Sequence, residues 1–151
     1  VVGGGAHATV PGVEALEGIG EGDRHLGRPV PLPRMPLPLV RWVEVHAVGP
    51  EAVEVEWNLD DTRAGAPGRL ALYAGSAAPP ARDIPDAGES EAVTAGPHRV
   101  ALRSAALPEA QPSLRPVHEL LWEAGGLHLR MTAQGPWAVE DLLAIAATIE
   151  A

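Results

Sequence analysis

The dipeptide Gly125-Gly126, set between two stretches of unbroken alternation, constrains this chain more than any other feature. With the glycines as loop residues, Trp122 faces Leu129, Leu120 faces Met131 and Ala124 faces Leu127. Glu123/His128, Leu121/Arg130 and Glu119/Thr132 then share the opposite face. A two-residue hairpin loop needs positive φ at its central positions, which glycine adopts without strain. A slip of one residue would mix the faces, so the pattern predicts an antiparallel hairpin over 117–124 and 127–133 with a fixed register.

The same period of two recurs upstream. Residues 39–48 carry Val43, Val45 and Ala47 on one side and Trp42, Glu44 and His46 on the other. Gly49-Pro50-Glu51 breaks the run, and 52–59 then sets Val53, Val55, Trp57 and Leu59 against Glu54, Glu56 and Asn58. One dry face and one wet face are the mark of an antiparallel sheet. Further short strands are expected over 69–74 and 98–103, with 91–95 a marginal addition. After Gly135-Pro136-Trp137 the period changes to 3.6: Val139, Leu142, Leu143, Ala146 and Ile149 form one apolar stripe, and Glu140 and Asp141 sit where the helix dipole favours acids. The reading is an α+β domain, a five- to six-stranded mostly antiparallel sheet with a C-terminal helix packed on one face.

Residues 1–38 follow neither period and are read as an extended or irregular arm, with the α+β domain spanning 39–151. Five prolines fall within 29–38, and proline at that density fixes φ and holds its neighbours extended. The segment is expected to be polyproline-II-like, a stiff connector along the domain edge, or else a ligand for an aromatic-lined groove. The remaining glycines and prolines gather around 60–68, 75–91 and 105–116, as punctuation between strands.

Charge and composition exclude several functions. Twenty acids against 11 basic residues give a net charge of −9, which argues against nucleic-acid partners and against docking on an anionic membrane. Without cysteine there is no disulfide framework, thiolate nucleophile or thiolate metal site. No apolar run is long enough to span a bilayer and no signal peptide is visible. The chain opens on Val1 rather than Met, so it is expected to be a processed protein or a fragment, with any membrane anchor or export signal upstream of Val1.

Candidate chemistry is sparse. Gly3 to Ala8 match G-x-G-x-x-A, but a dinucleotide site needs a buried strand before that motif and a helix after it, and Pro11-Gly12 follow here. Ser76, Ser90, Ser104 and Ser113 lie in no nucleophile motif, and adjacent acids such as Asp60-Asp61 point apart. No catalytic residue and no cofactor are assigned. Glu44 and His46 share a strand face, as do Glu54 and Glu56 on the neighbouring strand, so these four are the residues a divalent ion would use. Charges on a solvated sheet face need no metal to explain them, however, and no metal is assigned. His118 falls on the inward face as a core-edge histidine. Leu120, Trp122, Leu129 and Met131 would line any pocket for an apolar ligand between sheet and helix. Trp42, on the polar side of its strand, is a candidate contact surface.

The C-terminal block carries a resemblance. Trp122 before Gly125-Gly126, the amphipathic return strand, and the helix start Glu140-Asp141-Leu142-Leu143 followed by Ile145-Ala146 are similar to the ending of a bacterial domain-of-unknown-function family. That family is attached to membrane-anchored proteins, often beside anti-sigma factors. The resemblance implies an extracytoplasmic α+β module, distantly like the curved sheets of sigma-factor regulators and lipoprotein carriers, and it brings no catalytic residue. The expected function is therefore a non-enzymatic sensory or protein-interaction domain. A carrier of apolar ligands is the alternative, and a metal-dependent hydrolase a more remote one.

Overall fold

The computed structural model describes residues 13–37, 40–59, 68–79, 89–105, 117–134 and 137–151, with the backbone alone at Leu59 and Ala105. In chain order these form β1 (Val13–Leu16), α1 (Ile19–Leu26), β2 (Val40–Val48), β3 (Ala52–Leu59), β4 (Gly68–Gly75), β5 (Glu91–Ala95), β6 (His98–Ala105), β7 (Val117–Ala124), β8 (Leu127–Gln134) and α2 (Val139–Ala147). The strands build one eight-stranded sheet in the order β1-β2-β3-β4-β8-β7-β6-β5. Every pairing is antiparallel. Two four-stranded meanders thus meet through their last strands, β4 and β8.

The hairpin around Gly125-Gly126 has the register that alternation predicts, with Trp122 opposite Leu129, Leu120 opposite Met131 and Glu123 opposite His128. Both loop glycines have positive φ, 59° and 80°, as the twist of a two-residue hairpin demands. Strand count is where the expectation falls short: eight strands form, not five or six. One addition is β5, too short to show alternation clearly. The other is β1, whose four residues lie in the stretch read as irregular.

That stretch also holds α1, despite Gly20 and Gly22, which disfavour a helix in isolation. Tertiary packing overrides propensity here. Ile19, Gly22 and Leu26 follow helical spacing, and Gly22 is buried against the sheet. A Cβ at Gly22 would lie 3.2 Å from a Val45 methyl and 3.4 Å from one of Val30, so the glycine sets how closely the helix approaches. The Glu21 carboxylate accepts the Glu17 backbone N–H (2.8 Å) at the helix start, and Gly27 in the left-handed region ends it.

Residues 29–37 carry no helix or strand. They are tied to the domain throughout. The Asp23 carboxylate accepts the Val30 N–H (2.8 Å), Arg28 donates to the Gly125 carbonyl (2.7 Å), and the Arg34 N–H donates to the Thr148 hydroxyl (2.9 Å). Leu32 and Leu37 pack on the core beside Val40 and Trp57. Arm, α1 and α2 therefore share the dry face of the sheet, where Val53, Val55, Leu70, Leu72, Leu120, Leu129 and Met131 meet Leu142, Ile145 and Ile149. The opposite face is not uniformly wet. At its centre Tyr73, Glu119 and Arg130 are buried, a departure from the solvated face that alternation suggests.

Two histidines lie on the dry face. His98 donates from Nε2 to the Ile149 carbonyl (2.7 Å) and its ring lies 5.8 Å from that of Trp122. His118 Nδ1 is 2.7 Å from the Ser104 hydroxyl, its neighbour across β6 and β7. Burial lowers the His118 pKa below its ordinary 6.5, because a half-buried imidazolium loses hydration.

Two outcomes follow from this packing. Leu120 is fully buried, so Leu120→Ala should cost about 2–5 kcal/mol in denaturant unfolding, and a loss under about 1 kcal/mol would show that the dry face is not closed there. The unfolded chain protonates His118 at a higher pH than the folded one. Stability from this group is therefore complete above pH 6.5 and declines as pH falls below it toward the lowered folded value. Urea unfolding across that range should show a steeper acid-side loss for the wild type than for His118→Gln. Equal slopes would refute the assignment.

Candidate interaction surface

Strand lengths create the most unusual surface. β2 has nine residues but β1 only four, and β1 pairs with Val45 to Val48 alone. From Val40 to Glu44, β2 has β3 on one side and no described strand on the other. The register shifts between Val40 and Trp42, placing one extra residue, Arg41, in β2. Such a bulge bends a strand and re-aims its side chains. It lets Val40 join Val43, Val45 and Ala47 on the dry face, while Trp42 stays on the opposite face with Glu44 and His46.

Exposure on the dry face rises from centre to edge. Leu70, Trp57 and Val43 are successive cross-strand neighbours. Leu70 is fully buried, Trp57 half-buried, and Val43 is 46% exposed. Among the described residues the exposed large hydrophobic side chains are Val43, Trp42 (49%) and Met35. All three belong to the same corner. There the arm and the strands enclose an open cleft of about 380 Å³, with Leu32, Met35 and Leu37 on one wall and Val40, Val43 and Trp57 on the other. Apolar side chains left in water at a strand edge are what a docking surface offers and what a monomer otherwise avoids.

Trp42, singled out from its place on the polar side, is thus exposed beside an edge with no described partner strand. The cleft was not foreseeable, because it depends on where the arm lies and on a bulge with no signal in the alternation. Leu120, Trp122, Leu129 and Met131 are brought together, but as core: none is more than 5% exposed, and they belong to the cluster that includes Leu142 and Ile145. None of them borders this cleft.

The acidic candidates separate. Glu54 reaches Arg130 (3.5 Å), whose guanidinium also sits 5.4 Å from the centre of the Tyr73 ring. Burial raises the Tyr73 pKa; Arg130 opposes that shift and Glu54 adds to it. The Tyr73 hydroxyl donates to the Ala77 carbonyl (2.9 Å). Glu44, His46 and Glu56 converge instead, their ligand atoms all within 4.8 Å of one another. Glu123 and His128 form the cross-strand pair expected of them, 3.1 Å apart. Ser104 and His118 are adjacent, a contact that separate positions in sequence could not reveal, and among the described residues no carboxylate bonds the other ring nitrogen. The G-x-G-x-x-A match, Asp60-Asp61 and Ser113 lie outside the described residues. Among the described residues no helix is long and apolar enough to cross a membrane.

Comparison with family models, with curated proteins and with solved structures finds no match to this chain.

Proposed function

We propose that this chain is a non-enzymatic protein-interaction domain, and that it captures an extended segment of a partner along the uncovered stretch of β2. The observation that carries this reading is the gathering of Met35, Trp42 and Val43 beside a strand edge with no described neighbour. An edge strand recruits another strand by main-chain hydrogen bonds, and alternate side chains of the guest then fall on opposite faces. On one face the guest would meet the cleft at Val43, on the other Trp42 and Glu44. Glu44 is exposed, with no cationic partner among the described residues. A guest of alternating apolar residues with an Arg or Lys toward Trp42 and Glu44 matches both faces, and it suits a chain of net charge −9.

The setting outside the cytoplasm, on a membrane-anchored bacterial protein, rests on the resemblance of the block around Trp122 and Glu140. Protease accessibility of the chain on intact cells tests it.

Trp42 and Val43 are exposed, so Trp42→Ala and Val43→Glu should each change folding stability by no more than about 0.5 kcal/mol. Peptides selected from a random display library against the wild-type domain should be extended, basic and apolar in alternation. Both variants should bind them at least about tenfold more weakly, as expected where an interface anchor is lost. Selected peptides that bind the variants as well as the wild type would overturn the reading.

A further inference from the structure

On the polar face, the acids of the central strands are matched one by one. Glu54 lies against Arg130, Glu56 against Arg69 (2.6 Å) and Glu119 against Arg103 (2.9 Å). Glu44 breaks the pattern. Its direct cross-strand neighbour is another acid, Glu56, and like charges facing each other across a ladder destabilise it. Beyond Glu56 on the same rung comes Ala71, which has no charge to offer. What Glu44 does have, two residues along its own strand and on the same face, is the imidazole of His46.

We propose that Glu44, His46 and Glu56 form a binding site for a divalent transition ion of the zinc class. The donor set is mixed, one imidazole nitrogen and two carboxylates with no thiolate, which suits zinc and its neighbours rather than calcium or magnesium. Three protein ligands with the remaining positions open to water is a common zinc arrangement. The ladder supplies the preorganisation: Glu44 and His46 are fixed on one face of β2, and Glu56 stands directly across on β3. Their ligand atoms already lie within 4.8 Å of one another. Bonds of about 2.1 Å require donors roughly 3–3.5 Å apart, a contraction within reach of two glutamate side chains. Arg69 binds one carboxylate oxygen of Glu56, leaving the second oxygen for an ion, much as carboxylate ligands elsewhere are held by an outer hydrogen bond. The ion would also remove the repulsion between Glu44 and Glu56. This site shares Glu44 with the partner-docking reading but does not depend on it, because it rests on the β2–β3 ladder, whereas docking rests on the edge and the apolar cleft.

Zinc titration of the chelator-treated domain by calorimetry tests the proposal, with circular dichroism to confirm folding of each variant. Saturable binding of one ion is expected, at least about tenfold weaker in Glu44→Gln and in His46→Gln and unchanged in His128→Gln. The His46 ring signals should shift in nuclear magnetic resonance spectra as zinc is added, while those of His98 and His118 stay in place. Absence of saturable binding, or binding unaltered in both Glu44→Gln and His46→Gln, would overturn it. So would shifts centred on His128.

Discussion

The pairing of β4 with β8 joins the two meanders, and the single sheet depends on it. Seven residues of β4 are in register with β8, from Arg69 opposite Gln134 to Gly75 opposite His128. β4 is buried on both faces over nearly its whole length, as a central strand should be. Leu70, Leu72 and Ala74 stand against Ala133, Met131 and Leu129 on the dry side, all at most 1% exposed. This contact is remote in sequence, so its loop-closure cost falls on folding before the core rewards it. Without it each meander would leave a long apolar edge in water.

Register carries from that junction to both edges. One dry rung runs Leu16, Val45, Val55, Leu72, Met131, Leu120 and Leu102, apolar across seven strands. The adjacent rung on the other face runs Ala15, His46, Glu54, Tyr73, Arg130, Leu121 and Ala101. A one-residue slip of β3 or β8 would drive Glu54 or Arg130 into the hydrocarbon core, at a cost far above what the exposed ends could offset. Buried ion pairs such as Arg103–Glu119 add little net stability, because desolvation offsets most of their attraction. Their consequence here is specificity, since each charge has its partner only in this alignment.

What alternation could show, it showed well. The 117–134 hairpin, its turn glycines and the faces of β2 and β3 follow from period two alone, because each has one consistently apolar side. β1 and α1 escaped for the opposite reason. β1 is too short for a period, and Gly22 of α1 is there for close approach to Val45 and Val30, a tertiary demand that looks like loop composition. The site divides along the same line. Trp42 and the spacing of Glu44 and His46 are local facts, legible from one strand. The convergence with Glu56 needed the β2–β3 register, and the cleft needed both the arm's path and the bulge at Arg41.

The two edges of the sheet are treated differently, and the difference bears on use. At one side β5 is five residues long, presents Glu91 and Thr94 to solvent and packs against α2. Short length, polar side chains and a covering helix are the standard means by which an edge is kept from recruiting other strands. At the other side β1 covers only half of β2, and the half with no described neighbour exposes Trp42 and Val43 between the charged Arg41 and Glu44. The bulge at Arg41 limits how far a guest strand could extend toward Val40, so the stretch open to pairing is short. A short edge with apolar anchors on both faces binds through side chains as much as through main-chain bonds. It therefore selects among partners while resisting the open-ended association that a long flat edge would invite.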